Sequence, residues 1–285
     1  MKLAYHGATS MRSSLETDVR VSEKAGFTAL ELWAAKVDTY LAHNSIDRLK
    51  KLFTDNDIEP TAINSIEFIG FRGKDYKKIQ KRCLQLCQIA KEINCSTIVV
   101  VPSPTPRAKG GSVLELFFPW QKVVNEYVAV LRNLSDIAKP YNVNLAFEFV
   151  GFPWCSVRTP RGAFEIVKKV NRKNIGMNLD CCHFYIGGGD IREIDQLDTS
   201  KILTFHLNDL EDASKEALTD GLRVLPGLGV INLDEICKKV KQIGYDGVCA
   251  IELFREEYWR WEPQKLAKKA YTTAKKILEP HFNIE

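Results

Sequence analysis

The chain has 285 residues, of which 45% are hydrophobic and 27% are charged, a balance typical of an ordinary soluble globular protein. Its formal net charge is +4, and the basic residues are scattered instead of forming the stripe that is typical of nucleic-acid binding. No segment approaches the ~20 apolar residues of a membrane span, and the N-terminus lacks the apolar core of a signal peptide. These features predict a cytoplasmic protein that binds neither nucleic acid nor membrane.

The cysteines support the same location. Eight are scattered through apparent strands and helices, and none forms a Cys-x-x-Cys pair. This pattern predicts buried thiols in a reducing compartment. Cys181 and Cys182 form a vicinal pair, which we interpret as two small residues that fill a tight turn after a strand.

Strand-type and helix-type segments alternate almost throughout the chain. Ser45 is a plausible N-cap, and Gly26 is well suited to end the first helix. A Pro/Gly-rich loop is predicted over residues 102–111, and a flexible glycine turn over residues 187–189 before a helix near Ile191. The predicted strands cover residues 3–6, 28–33, 58–64, 97–101, 143–149, 174–180, 201–206 and 247–252. The other predicted helices cover residues 14–25, 45–56, 74–93, 119–139, 159–170, 233–243 and 263–278.

This alternation predicts the fold class. Eight strands with helices after most of them indicate an α/β protein with a closed (β/α)₈ TIM barrel, and we expect residues 1–285 to form a single TIM-barrel domain. The alternative is an open, doubly wound sheet. Such sheets usually carry a glycine-rich turn after the first strand, and the sequence Tyr5-His6-Gly7-Ala8-Thr9 is not one.

Four polar residues stand at or just past the ends of four apolar runs: Glu148, Asp180, His206 and Glu252. In a barrel these ends meet at the rim that carries the chemistry. Three carboxylates and an imidazole are costly to bury unless they are paired. A divalent cation is the simplest partner, and this ligand set suits Mn²⁺, Zn²⁺, Co²⁺ or Mg²⁺. The sequence therefore predicts one metal ion held by these four residues.

A metal beside two glutamates suits the abstraction of a proton next to a carbonyl group. The metal would polarise the carbonyl as a Lewis acid and stabilise an enediolate. One carboxylate would remove the α-proton, and the other would return a proton elsewhere. Glu148 and Glu252 are the candidates for this acid/base pair.

Further polar and aromatic residues near the predicted rim could bind a substrate. His183 is a candidate on the loop that leaves the sixth strand, where it could contact a substrate hydroxyl or carbonyl. Arg223 could hold a substrate oxygen or orient a carboxylate. His6 and Glu31 end the first two strands and are weaker candidates for lining the pocket. Trp154 could supply an apolar wall for a sugar-like ring.

Several segments resemble the xylose isomerase-like barrel family of sugar isomerases and epimerases. They are residues 145–151, the pair Asp180 and His183, the pair His206 and Asp209, residues 223–229 and residues 248–255. Within that family the resemblance is greatest to the inosose isomerase branch of myo-inositol catabolism. It implies a divalent-metal-dependent isomerase that converts 2-keto-myo-inositol to 1-keto-D-chiro-inositol through an enediolate.

The resemblance also implies roles for individual residues. It implies that Glu148, Asp180, His206 and Glu252 bind Mn²⁺, Zn²⁺ or a similar ion, with the two glutamates as acid and base. It implies that His183, which we count among the catalytic residues, contacts substrate oxygens, as does Arg223. His6 and Trp154 depart from the family pattern, and both bear on the choice of polyol.

Other activities are compatible with the same residues. An inosose or 3-dehydroshikimate-type dehydratase would begin with the same proton abstraction, and a ketose 3-epimerase would use the same acid/base pair. A non-catalytic barrel that binds a polyol is an alternative from another class. In each case the partner is a small keto-polyol, ketose or related molecule, and association into a homo-oligomer is left open.

Overall fold

Eight parallel strands close into a barrel, which confirms the predicted fold class. The computed structural model describes residues 1–106, 118–215 and 217–285. Around the barrel the order of the strands is β1, β10, β7, β6, β5, β4, β3 and β2. Their bounds are β1 (Lys2–His6), β2 (Ala29–Trp33), β3 (Glu59–Ile66), β4 (Thr97–Val100), β5 (Asn144–Glu148), β6 (Ile175–Asp180), β7 (Ile202–Leu207) and β10 (Val248–Ile251). A two-stranded antiparallel sheet, β8 (Asp209–Leu210) with β9 (Arg223–Val224), follows β7.

Helices cover the outside of the barrel. Ser14 and Ser45 cap the first and third of them with their side chains, and Gly26 ends the first at a φ of 103°, a left-handed conformation that glycine adopts without strain. The described helices are α1 (Leu15–Ala25), α2 (Ala34–Leu41), α3 (Ile46–Thr54), α4 (Tyr76–Glu92), α5 (Trp120–Ala138), α6 (Pro160–Val170), α7 (Cys181–Gly187), α8 (Leu233–Gln242) and α9 (Pro263–Leu278).

Side-chain alternation along the strands determines what fills the barrel. Successive strand residues point to opposite faces, and small residues such as Ala4, Ala29 and Ala250 pack together as one cluster. Two positions further along each of these strands, the same inward alternation reaches a polar residue. His6, Glu31 and Glu252 are the residues that follow those alanines by two. The polar layer therefore lies next to the alanine layer, toward the carboxyl ends of the strands.

Some local predictions were wrong. Helices α2 and α7 were not predicted, and Cys181 and Cys182 begin α7 instead of forming a turn. Gly187 is the last residue of that helix, and Gly188 ends it in a left-handed conformation. The predicted helix near Ile191 is a short 3₁₀ helix, Ile191–Gln196.

Other local predictions were confirmed or fall outside the described residues. All eight cysteines are free and buried, as expected. Residues 102–106 have no regular structure apart from an isolated bridge between Pro104 and Cys155. The rest of the predicted loop, residues 107–111, lies outside the described residues. Within the described ranges, every helix is too short or too polar to cross a membrane.

Candidate active site

Four side chains predicted as metal ligands meet inside the barrel: Glu148, Asp180, His206 and Glu252. One ligand atom from each lies within 4.8 Å of the others, and all four residues are buried. They lie at the carboxyl ends of β5, β6, β7 and β10, which are consecutive neighbours in the barrel. We call this set the four candidate ligands.

The ring of His206 faces two different environments. Its Nδ1 lies 3.2 Å from Glu252, 3.5 Å from Glu148 and 3.6 Å from Asp180. On the other edge of the ring, Nε2 lies 3.0 and 3.1 Å from the two carboxylate oxygens of Glu31. An ionised carboxylate can only accept, so Nε2 carries a proton and donates it to Glu31. The Nδ1 atom is thereby directed toward the three carboxylates.

Glu31 and His6 lie beneath the candidate ligands, and both are completely buried. The His6 Nδ1 accepts a hydrogen bond from the Ala8 amide at 3.0 Å, so the other ring nitrogen holds the proton in the neutral ring. That Nε2 lies 3.4 Å from Glu31 and 3.3 Å from Glu252. The amide of Asn64 donates to the same two glutamates at 3.0 and 3.2 Å. His6 and Glu31 were predicted to line the pocket; the structure places them against the candidate ligands.

Two further asparagines contact the candidate ligands and, like Asn64, were not predicted. Asn178 donates to Glu148 at 2.8 Å, and Asn208 donates to Asp180 at 2.7 Å. Both are completely buried. Each stands two residues from a candidate ligand, Asn178 before Asp180 and Asn208 after His206. The period of two along a strand could therefore have identified both of them from the sequence.

Arg223 is a buried cation beside the candidate ligands. Its Nη1 donates to Asp180 at 2.8 Å and to Glu252 at 2.9 Å, while Nη2 lies 3.1 Å from His183 Nε2. Asp220 pairs with the same guanidinium at 2.9 Å. Because an arginine only donates, His183 accepts through Nε2. Arg223 was predicted to lie in a loop, and the structure places it in β9.

His183 is also held from a second side. It is buried and lies in α7, not in the loop that was predicted. Its backbone amide donates to Asp180 at 2.6 Å and closes the first turn of that helix. Asp180 is therefore both a candidate ligand and a helix N-cap. The ring nitrogen Nδ1 of His183 has no hydrogen-bond partner among the described residues.

The buried charges shift the pKa values of this site in opposite directions. Burial alone would lower the pKa of His206, but the charges of Glu31 and Glu252 raise it well above its usual value. Burial alone would raise the pKa of Asp180, but Arg223 and His183 hold it well below its usual value.

The two glutamates predicted as acid and base also differ from each other. Burial, with the charge of Glu252, raises the pKa of Glu148. Burial opposes ionisation of Glu252 as well, yet the charges of His206, His6 and Arg223 lower its pKa to about 2. Opposite shifts in a neighbouring pair are typical of an acid and a base with separate roles.

A cavity of about 200 Å³ opens above these residues. Glu148, His183, Arg223 and Glu252 line its floor, and aromatic rings form its sides. Trp154 stands at its mouth and is 45% exposed. Its lining also includes Trp33, Asn64, Glu67, Phe68, Val101, Asp220 and Phe254. A cavity of about 850 Å³ lies at the opposite end of the barrel, around the start of β3, away from the candidate ligands.

The donor set fits a divalent cation. Four buried carboxylates surround the interior, and the guanidinium of Arg223 is the one permanent cation in direct contact with them among the described residues. Oxygen and imidazole donors suit Zn²⁺ and Mn²⁺. A second group, Asp180, Cys182 and His183, also converges. There the guanidinium of Arg223 already bonds two of the three residues.

A family model, curated relatives and a solved structure all indicate the family of this chain. The family model of the xylose isomerase-like TIM barrel matches residues 19–277. An inosose isomerase from Halalkalibacterium halodurans is 38% identical over 100% of this chain and 99% of its own length. One from Bacillus subtilis is 35% identical, with both chains covered completely. A crystal structure of the IolI protein with a zinc atom superposes with a TM-score of 0.93 at 35% identity, covering 99% of this chain and 100% of that one. The chain belongs to the xylose isomerase-like TIM barrel family.

Proposed function

We propose that this protein is an inosose isomerase that moves the carbonyl group of 2-keto-myo-inositol to the adjacent carbon, giving 1-keto-D-chiro-inositol. The chain is an isomerase, since its relatives of equal length at 35–38% identity carry that name. The specific reaction is proposed because of one observation, which concerns the pair Glu148 and Glu252. Both are buried at the floor of one cavity with pKa values shifted in opposite directions.

The proposal includes one divalent cation. Glu148, Asp180, His206 and Glu252 would hold it, and Zn²⁺ is favoured because the IolI structure contains zinc, with Mn²⁺, Co²⁺ and Mg²⁺ as alternatives. When bound, such an ion would polarise the substrate carbonyl as a Lewis acid.

The two glutamates would move the proton. Ionised Glu252 takes the proton from the carbon beside the carbonyl, and the electrons of that C–H bond form the double bond of an enediolate. Protonated Glu148 then delivers a proton to the former carbonyl carbon. The neighbouring hydroxyl gives its proton to the former carbonyl oxygen, and its own oxygen becomes the new carbonyl. Solvent at the mouth of the cavity restores the starting protonation of both side chains.

Neighbouring residues would bind and orient the substrate. His183 and Arg223 line the cavity, and the proposal assigns them contacts with the substrate's oxygens. Trp154 lies 6.2 Å from Phe68, centroid to centroid, and this aromatic pair offers an apolar wall to the carbon-bound hydrogens of the ring. The proposal includes a cytoplasmic role in inositol catabolism, which the eight free cysteines favour.

The test is to incubate the zinc- or manganese-loaded protein with 2-keto-myo-inositol and to identify the product by proton NMR. We expect 1-keto-D-chiro-inositol. The control variant is Glu165→Gln, because Glu165 is a partly exposed residue that pairs with Lys169 and does not line the cavity; it should match the unaltered protein. A vinyl proton would instead indicate a dehydratase. Turnover of a ketose alone would indicate a 3-epimerase, and binding of the inosose without turnover would indicate a non-catalytic barrel.

A further inference from the structure

Thr9 bridges the two peptide groups on either side of Glu252. Its hydroxyl donates to the carbonyl of Ile251 at 2.7 Å and accepts from the amide of Leu253 at 3.0 Å. Thr9 is completely buried, and it stands more than 240 positions earlier in the chain. We infer that Thr9 is a positioning residue for the Glu252 carboxylate, an inference that rests on the proposed function.

The need for such a residue follows from where the strand ends. β10 stops at Ile251, which is the last residue paired with β1 and β7. Glu252 therefore extends past the ladder that fixes the rest of the strand. Buried backbone groups beyond the ladder still require hydrogen-bond partners. The Thr9 hydroxyl satisfies one such group on each side of Glu252.

The segment that carries Thr9 is fixed at both of its ends. The Lys36 ammonium donates to the carbonyls of Gly7 and Ser10 at 2.8 Å each, and its third contact is Asp18 at 2.6 Å. The three donors of the lysine are thus all used. The Ser10 hydroxyl donates to Asp18 at 2.6 Å, which ties the segment to α1 as well.

The middle of the segment is held in the same way. The indole Nε1 of Trp259 donates to the Ala8 carbonyl at 3.0 Å, and the Ala8 amide donates to His6. These hydrogen bonds hold residues 7–10 against the barrel and α2, so that Thr9 has a fixed position relative to both. A flexible loop could not hold Glu252 in this way.

If Thr9 positions Glu252, its removal should affect kcat and KM differently from the removal of a residue that only fills space. A small displacement of a catalytic group can cost about 10²-fold in rate, while substrate binding changes little. Loss of a supporting hydrogen bond near a metal ligand typically costs ~10–100-fold in metal affinity or activity. Removing the Thr9 hydroxyl should therefore lower kcat and weaken metal binding, and it should leave KM almost unchanged.

The experiment compares Thr9→Val, which removes the hydroxyl, with Thr9→Ser, which keeps it. Thr204→Val is the matched control, because Thr204 is buried and its hydroxyl has no partner among the described residues. Each variant is assayed for kcat and KM with 2-keto-myo-inositol. The Zn²⁺ dissociation constant is measured by competition with a fluorescent chelator.

For Thr9→Val we expect kcat to fall ~10–100-fold, KM to stay within about twofold and the Zn²⁺ dissociation constant to rise ~10-fold. Thr9→Ser and Thr204→Val should match the unaltered protein. Equal values for Thr9→Val and the control, or an equal loss in Thr9→Ser, would overturn the inference. Failure of both Thr9→Val and Thr9→Ala to fold would also overturn it, because Thr9 would then be required for the structure as a whole.

The metal measurement separates this inference from the proposed function. If the unaltered protein does not convert the inosose, the proposed function fails. A weaker Zn²⁺ affinity in Thr9→Val, restored in Thr9→Ser, would still support the positioning of Glu252. Unchanged affinity in an inactive protein would overturn both.

Discussion

Glu31 and His206 are joined across the inside of the barrel, although β1 and β10 separate their strands. Both oxygens of the Glu31 carboxylate lie within 3.1 Å of His206 Nε2. A carboxylate on the far nitrogen of a metal-binding histidine fixes its tautomer and its orientation. Glu31 thereby directs Nδ1 of His206 toward the other three candidate ligands.

The first prediction concerns this contact. Glu31→Gln should weaken the binding of Zn²⁺ by ~10–100-fold, the range typical of such supporting partners. Chelator competition measures the dissociation constant. Glu59→Gln is the matched control, since Glu59 begins the adjacent strand β3 and pairs with Lys2 near the surface. An unchanged affinity in Glu31→Gln would show that the contact does not support the metal.

The second prediction concerns the pH dependence of metal binding. In the metal-free site, His206 has a pKa well above its usual value, because the charges of Glu31 and Glu252 outweigh the effect of burial. Nδ1 must lose its proton before it can bind a cation. Metal affinity should therefore rise with pH up to that raised pKa, and binding near pH 7 should release about one proton from His206.

Isothermal titration calorimetry with Zn²⁺ in buffers of different ionisation enthalpy counts the released protons. A binding enthalpy that is the same in every buffer would contradict this account of the site.

The third prediction concerns the acid/base pair. Glu252→Gln and Glu148→Gln should each reduce turnover by at least ~10²-fold, as expected for a group that transfers a proton. The assay should be run at saturating metal, since both residues are also candidate ligands. Near-full activity in either variant would exclude that glutamate from proton transfer.

The fourth prediction concerns the buried charge of Arg223. Arg223→Met leaves Asp180 and Glu252 without a cation that lies 2.8 and 2.9 Å away. Breaking a buried ion pair from one side costs ~3–5 kcal/mol. Urea unfolding of the metal-free protein should show a loss of that size in the free energy of unfolding. A bound Zn²⁺ should reduce the loss, because it supplies positive charge to the same carboxylates.

The control for this prediction is Arg192→Met. Arg192 is exposed and pairs with Asp190 at the surface, where such a pair contributes ~0–1 kcal/mol. A similar loss of stability in the two variants would show that the buried ion pairs of Arg223 contribute no more to the free energy of unfolding than a surface pair does.

The sequence predicted the barrel and the convergence of the four candidate ligands because both depend on local patterns. Apolar runs marked the strands, and each polar residue at a run's end lies at the same rim. The short helix α7 was missed because its seven residues follow Asp180 directly, with no room for a loop or a clear amphipathic repeat. Without α7, His183 was assigned to a loop.

The contacts of Glu31 and Thr9 show what local patterns leave out. Both residues depend on partners that are distant in the sequence: His206 for Glu31, and the peptide groups around Glu252 for Thr9. Such pairs are set by the closure of the barrel and by the register of its strands. Glu31 was predicted as a pocket residue from its position, and its contact with His206 required the folded structure.

In the proposed reaction, Glu148 and Glu252 move a proton between adjacent carbons of a keto-inositol. The most direct test follows 2-keto-myo-inositol by proton NMR in deuterated water with the metal-loaded protein. We expect 1-keto-D-chiro-inositol with deuterium at the carbon that held the original carbonyl, and no such product from Glu252→Gln. Isomerisation without any uptake of deuterium, or at an undiminished rate in Glu252→Gln, would rule out proton transfer by this pair.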